Sequence, residues 1–243
     1  MSSITISDNN NYVVDSSCTI IINNANINIE YKLNNGEYRV LIFNNFAGDV
    51  NLNDKGIIDN ANVQINYLQL DKYNLNQYTN IKVNKDSSLY VNTTYLGSNI
   101  KNIKFDLYNE GCDSLVDITN NIVCLDEADF SLDCIGTIIK GAKRSKCHQK
   151  THCLTIDNPK KARVLPVLNI DEDDVEASHS LSSGTIDEEV LYYMNSRGLD
   201  SKAALGLILK SYLMPNEHYY DGFIDGSIIQ EMASKKVEEI CSI

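Results

Sequence analysis

The sequence contains no tryptophan and only three prolines in 243 residues. None of its apolar runs approaches the ~18 residues needed to span a bilayer. The first eight residues have neither the basic nor the apolar stretch of a secretory signal. The seven cysteines are odd in number and form no Cys-x-x-Cys pair, which is typical of reduced thiols rather than of a disulfide framework. These absences predict a cytoplasmic protein.

The common catalytic signatures are missing as well. The sequence has no Walker A loop, no dinucleotide-binding glycine pattern, no Gly-x-Ser-x-Gly and no His-Glu-x-x-His. Acidic residues outnumber basic ones by 33 to 21, and the net charge of −12 predicts repulsion from nucleic acids and from anionic membranes. We therefore expect a protein that is not an enzyme, has no catalytic residues and binds neither nucleic acid nor membrane.

Short alternating runs of apolar and polar residues dominate from about residue 11 to residue 176. Examples are Ala25-Asn26-Ile27-Asn28-Ile29 and Val63-Gln64-Ile65-Asn66-Tyr67, and asparagine, aspartate and glycine separate such runs. This period of two predicts many short β-strands, which a sandwich, a barrel or a β-helix would each accommodate. The recurrence of similar rung-like runs favours a solenoid, in which successive coils stack on one another.

The pattern changes to a helical period after Gly184. The run Thr185-Ile186-Asp187-Glu188 has the form of a capping box, and Arg197-Gly198 is a typical helix end. A second helix is predicted from about Ser201 to Leu213, with apolar residues around almost its whole circumference, and a third helix from Ser227. We expect an N-terminal tail at residues 1–10, a β-region at 11–184 and a helical region at 185–243.

Several segments occur in an order that resembles a known family. The junction reads Ala177-Ser178-His179-Ser180 and leads through an acidic pair to a helix that ends Tyr-x-x-x-Arg-Gly at Gly198. The preceding segments are Gly136-Thr137-Ile138-Ile139-Lys140-Gly141-Ala142, His148-Gln149, Leu154-Thr155-Ile156 and Pro166-Val167-Leu168-Asn169-Ile170. From about Gly136 to Tyr212 this set resembles the core domain of the SufB/SufD family, the scaffold subunits of the SUF iron–sulfur cluster assembly machine.

The resemblance implies a right-handed parallel β-helix followed by a small helical region. It also implies a non-catalytic scaffold that pairs with a SufB/SufD-type paralogue or with a second copy of itself. A SufC-like ABC-type ATPase would dock on the C-terminal helices. Two departures favour a SufD-like or divergent minimal member: Thr151 stands at the position of the reactive cysteine of SufB-type subunits, and Ser180 replaces an acidic residue.

Three residues are candidate ligands for a cluster shared between subunits: His179, Cys147 and Cys153. The resemblance implies the role of His179, and thiolates suit iron–sulfur species. On a straight strand Cys147 and Cys153 share one face but lie ~20 Å apart, while His148 and His152 share the opposite face ~13 Å apart. The isolated chain is therefore expected to hold no metal, and a transient cluster would need ligands from elsewhere in the complex. The alternatives are a stand-alone β-helix protein without cluster chemistry and a carbohydrate-active β-helix protein.

Overall fold

A computed structural model describes residues 2–7, 11–156, 159–214 and 226–241. Within these ranges the chain forms thirteen β-strands followed by three α-helices. The strands are β1 (Ser2–Ile6), β2 (Asn11–Val14), β3 (Cys18–Ile22), β4 (Asn26–Asn44), β5 (Val50–Gln69), β6 (Leu75–Val83), β7 (Ser88–Gly97), β8 (Ile100–Asn109), β9 (Leu115–Cys124), β10 (Asp129–Ile138), β11 (Lys146–Thr155), β12 (Lys161–Ile170) and β13 (Glu176–Thr185). The helices are α1 (Glu188–Ser196), α2 (Ser201–Leu213) and α3 (Gly226–Ile240).

The strands wind into a parallel β-solenoid of about six turns, which confirms the predicted fold class. From β6 onward, each turn of the solenoid contributes one strand to each of two faces, and all strand pairings are parallel. The first face contains the first half of β5 and then β6, β8, β10 and β12 in spatial order. The second face contains the second half of β5 and then β7, β9, β11 and β13. The even-numbered strands therefore stack opposite the odd-numbered ones.

Alternation within each strand fills the space between the two faces. In β6 and β10, for example, every second residue is buried, and inward residues of successive strands lie directly above one another. One apolar core runs along the solenoid and includes the aromatic pairs Tyr67–Phe105 and Tyr95–Phe130, with ring centroids 5.7 and 6.1 Å apart. Burial of this core supplies the main drive for stacking.

One carboxylate lies inside the core. Asp54 is fully buried and accepts hydrogen bonds from the hydroxyls of Tyr31 at 3.0 Å, Thr79 at 2.7 Å and Tyr67. Burial raises the pKa of Asp54 to about 6, although the three hydrogen bonds act in the opposite direction. The first coils thus contain a satisfied polar network with a titratable group near neutral pH.

The helices lie on the outside of the second face. A second core cluster joins α2 and α3 to a stripe of outward-pointing apolar residues at the ends of successive strands. This outer stripe consists of Leu41, Phe43, Leu68, Leu70, Leu96, Val123 and Leu154. On the helices, Leu209, Leu213 and Val237 are buried against it. None of the helices in the described ranges has the length and apolar character needed to cross a membrane.

The structure adds three details to the sequence prediction. Strand β1 lies within the predicted N-terminal tail and pairs with β3, because Ile4 and Ile6 continue the alternation of the coil below. The first helix is capped by Asp187 rather than by Thr185, which still belongs to β13. The all-round apolar character of α2 is explained in part by the outer stripe that it covers, although Leu207 remains 52% exposed.

Other helix limits agree with the prediction. The Asp200 side chain accepts a hydrogen bond from the backbone N–H of Ala203 at 2.7 Å and caps α2. Gly198, with φ of +92°, follows α1 in the left-handed conformation that the Arg-Gly pair predicted. Helix α3 begins at Gly226. The side chain of the predicted cap Ser227 lies outside what the structure describes.

Candidate functional site at the open end of the solenoid

The last coil leaves the inside of the solenoid uncovered. All ten residues of β13 are exposed, whereas in β11 every second residue from Cys147 to Cys153 is buried. The two strands have the same length and pair residue for residue. Since β13 pairs with β11 alone and β12 with β10 alone, one edge of each terminal strand has no partner among the described residues. These edges and the inward residues beside them form what we call the open end.

His179 is the fourth of the ten residues of β13 in the open end. Its register partner is the inward residue Gln149, so position 179 continues the inward column of the second face. Leu181, two residues further on, continues the column of Thr151 and is 43% exposed. The imidazole is therefore presented with apolar neighbours on a surface that in any other coil would be core.

The two candidate cysteines lie one coil below His179 and are buried. Cys147 pairs with Ala177 and Cys153 with Ser183, so they flank the Gln149–His179 column on opposite sides. Burial, followed by the charge of Asp117, raises the pKa of Cys147 to about 12. A hydrogen bond from the Cys124 thiol lowers the pKa of Cys153, although burial acts against it. Cys147 is thus held as a thiol, and Cys153 is the more easily ionised of the two.

The histidines of β11 are not part of this arrangement. His148 and His152 alternate with the buried cysteines and lie on the outer side of the sheet, as strand geometry predicted. The His148 Nδ1 atom forms a hydrogen bond of 2.8 Å with the Ser178 hydroxyl. Partial burial lowers the pKa of His152. Both rings are separated from Cys147 and Cys153 by the sheet itself.

The candidate ligands do not converge within one chain. Among the described residues, no group of three or more histidine, cysteine, aspartate or glutamate side chains is placed to hold a metal ion. Cys147 and Cys153 are six residues apart on one strand, and His179 lies on the strand above, between them. At most one or two of these side chains can reach a common point, so a cluster bound here would need ligands from a second chain.

Sequence reasoning missed the part played by Gln149 and Thr151. Both are buried inward residues of β11 directly below the open end. The Thr151 hydroxyl accepts a hydrogen bond from Asn120 at 3.1 Å, which ties it to the coil beneath. The available signal was their alternation with Cys147 and Cys153, which places polar side chains at inward positions of a strand.

The first helix forms a second exposed region next to the open end. Helix α1 follows β13 after two residues and has no buried residue. Val190, Tyr192 and Tyr193 are 45%, 76% and 58% exposed. Large apolar and aromatic side chains that remain uncovered in this way are typical of protein interaction surfaces.

Comparison with known proteins agrees with this architecture. The family described as "SUF system FeS cluster assembly, SufBD core domain" matches residues 4–212, which is most of the chain. The chain belongs to the SufBD core-domain family. Membership supports a role in iron–sulfur cluster assembly.

Individual relatives match over shorter segments. The chain is 36% identical to the iron–sulfur cluster assembly protein SufD of Bacillus subtilis over 93 residues, which are 38% of this chain and 21% of the relative. It is 35% identical to a SufBD family protein of Pyrococcus horikoshii over 80 residues, 33% of this chain and 18% of the relative. A SufBD family protein of Mycobacterium tuberculosis is 30% identical over 76 residues, 31% of this chain and 9% of the relative. The matched segments thus span about a fifth or less of these relatives.

Proposed function

We propose that this SufBD core-domain protein is a non-catalytic scaffold subunit of a SUF-type complex that assembles iron–sulfur clusters. It pairs with a SufB/SufD-type chain, either a paralogue or a second copy, and a SufC-like ATPase docks on its C-terminal helices. The observation that carries the proposal is the open end, where the interior of a solenoid is presented to solvent with His179 at one of its inward positions.

Pairing at the open end follows from the physics of exposed strand edges. Terminal strands with unpaired N–H and C=O groups bind further strands, and soluble proteins normally cover or charge such edges. The free edges of β12 and β13 have no cover among the described residues, and the inward residues Ile170 and Leu181 are each about 40% exposed there. A partner strand would satisfy the backbone groups and bury these side chains.

Sedimentation velocity of the full chain, alone and mixed with a SufB-type or SufD-type subunit, tests this pairing. We expect a 1:1 complex or a dimer that Leu181→Arg abolishes, because a charge would be buried without a partner. The matched control is Ile57→Arg, since Ile57 is 50% exposed on the outer side of the first face, away from the open end. Equal loss of pairing in both variants, or in neither, would place the interface elsewhere.

Among the C-terminal helices, α1 offers the largest uncovered surface for the docking of an ATPase. Much of the apolar surface of α2 instead covers the outer stripe. Helix α1 remains without a buried residue and carries two exposed tyrosines, a residue type enriched at interfaces. We therefore assign the docking surface to Val190, Tyr192 and Tyr193, together with the exposed Leu207 of α2.

Titration calorimetry with a SufC-like ATPase measures this docking. Tyr192→Ser should weaken binding by about tenfold or more, the usual size of a central interface residue. Tyr90→Ser is the matched control, because Tyr90 is 42% exposed but lies on solenoid strand β7. Unchanged affinity for Tyr192→Ser would contradict docking through α1.

The cluster is cargo of the complex in this proposal, and His179 is the residue of this chain that supplies a ligand. Cys153 is a second candidate, since its pKa is lowered, whereas the raised pKa of Cys147 disfavours the thiolate that iron requires. The same raised pKa, with threonine at position 151, favours the alternative of a relative that pairs but carries no cluster. Iron and sulfide analysis of the purified complex, with and without His179→Ala, decides between the two.

A further inference from the structure

Gln149 lies directly below His179 and is almost fully buried. Its relative exposure is 3%, and it is the register partner of His179 across the β11–β13 pairing. The residue below it in the same column is the fully buried Ile118 of β9. Gln149 is therefore a polar residue inserted between an apolar core position and the exposed imidazole at the open end.

The amide of Gln149 reaches out of its own coil into the last one. Its Nε2 atom donates a hydrogen bond of 3.0 Å to the backbone carbonyl of Val167, which belongs to β12 on the opposite face. Gly136 makes room for this crossing. A Cβ atom there would lie 2.9 Å from the Gln149 Nε2 atom and 2.5 Å from the Cys147 sulfur. The position of the amide is thus set by the hydrogen bond to Val167 and by the space that Gly136 leaves.

The carbonyl end of the same amide is left without a partner. The Oε1 atom of Gln149 is buried and accepts no hydrogen bond from any described residue. A buried acceptor without a donor normally costs stability, so such atoms call for an explanation. Because the other end of the amide is bonded within the terminal coil, Oε1 is also held near the level of that coil.

His179 is the ring nearest in register to this acceptor. Adjacent strands lie ~4.8 Å apart, which a rotation of the exposed His179 side chain about its own torsions can bridge. A histidine that binds a metal usually donates its other ring N–H to a carbonyl or carboxylate, which fixes the tautomer and the direction of the ligating lone pair. A tethered, unpartnered carbonyl oxygen below an exposed imidazole has the form of such an acceptor.

We propose that Gln149 is the positioning residue for His179: its Oε1 accepts the Nδ1–H of the imidazole and leaves the Nε2 lone pair directed out of the open end. Gln149 itself touches neither iron nor sulfur in this arrangement. Its effect is to choose one tautomer and one ring orientation before a partner or a cluster arrives. The relevance of this positioning to cluster assembly rests on the proposed function, whereas the hydrogen bond itself does not.

The test is the tautomeric state of the neutral His179 ring in the full chain, measured from the ¹⁵N shifts of the two ring nitrogens. His179→Ala identifies the signal among the four histidines. In the wild type we expect the Nδ1–H form to predominate. In Gln149→Met, which keeps the side-chain length, the ratio of tautomers should shift towards Nε2–H by about fivefold, the usual worth of one hydrogen bond.

Two further variants separate positioning from general stability. Gln149→Glu keeps an acceptor oxygen and should retain the Nδ1–H form. Gln69→Met removes a second buried glutamine, whose amide nitrogen and oxygen both have no hydrogen-bond partner among the described residues. The register partner of Gln69 is Tyr95, so this variant should leave the His179 signal unchanged. A wild-type ring in the Nε2–H form, or equal tautomer ratios in the wild type and Gln149→Met, overturns the proposal.

Failure of the proposed function has a different signature. If the chain neither pairs with a SufB/SufD-type subunit nor binds a SufC-like ATPase, the tautomer shift still decides the role of Gln149. Conversely, an unchanged tautomer in a chain that pairs and binds the ATPase overturns the positioning role alone. Should Gln149→Met fail to fold, Gly136→Ala is the second variant, because its Cβ atom displaces the Gln149 amide without removing it. The same fivefold shift is then expected.

Discussion

The last two coils of the solenoid differ in burial although their strands have the same length and register. Strand β11 buries Cys147, Gln149, Thr151 and Cys153, while the residues paired with them in β13 are all exposed. The difference lies in what is stacked above each strand, not in the alternation of either one. Burial of a residue in a solenoid therefore depends on the neighbouring coils. The inward residues of the final coil occupy core positions by register, but they are exposed to solvent as surface residues are.

The largest contrast should appear on truncating one large side chain in each coil. Phe130 is fully buried in β10 against Tyr95, so Phe130→Ala should lower the free energy of unfolding by about 3–5 kcal/mol. Leu181→Ala on the open end should cost less than about 1 kcal/mol, because that side chain is already 43% exposed. Urea denaturation of the isolated chain measures both. A similar cost at the two positions would mean that the last coil is covered in solution.

Ion pairs give a second comparison between closed and exposed positions. The Lys101 ammonium is fully buried and donates to the Asp71 carboxylate at 3.1 Å and to the backbone carbonyls of Asp71 and Tyr73. Lys101→Met leaves these acceptors without their donor and should cost about 3–5 kcal/mol, the usual result of breaking a buried pair. Thermal and urea unfolding report the loss. An effect below about 1 kcal/mol would show that water replaces the ammonium.

The pH dependence of stability gives a third comparison between buried and exposed positions, because burial between stacked coils disfavours the charged form of a carboxylate. The folded-state pKa of Asp54, about 6, lies above its ordinary value of 3.8. Its contribution to stability is therefore complete below about pH 3.8 and is lost as the pH rises through about 6, by on the order of 3 kcal/mol. Asp54→Asn should remove this dependence. If urea midpoints of wild type and variant run parallel between pH 4 and pH 7, roughly the window set by those pKa values, Asp54 is not the group responsible.

How much the sequence predicts depends on whether a feature is local. The strands and the limits of α2 follow from period-two alternation and from caps such as Asp200, which are local signals. The sequence also contains a local signal for the outer stripe, because adjacent apolar residues recur at strand ends, as in Tyr67-Leu68, Tyr95-Leu96 and Ile122-Val123. The elements that cover the stripe could not be predicted, since an apolar helix does not specify the surface on which it packs.

The open end illustrates the limit for the site. His179 was identified by resemblance, but its pairing with Gln149 depends on the lengths of the intervening turns, which differ from coil to coil. The spacing between paired residues is 31 between β9 and β11 and 30 between β11 and β13, against 25 between β5 and β6. A shift of one residue would place His179 on the outer side of the sheet. Register of this kind is set by the stacked core as a whole rather than by any one segment.

The smallest effect is expected for the ion pair that links the last coil to the one below it. The Lys146 ammonium lies 2.9 Å from the Glu176 carboxylate, and both side chains are about half exposed. An exposed pair of this kind is screened by water and salt, and holding two long side chains in one geometry costs entropy. Lys146→Gln should therefore leave the melting temperature within experimental scatter at physiological ionic strength, unlike Lys101→Met. The same variant measured at low salt is the control, because only there should a small loss become visible. A loss comparable to that of Lys101→Met would mean that this ion pair, rather than strand pairing, holds the open end in place.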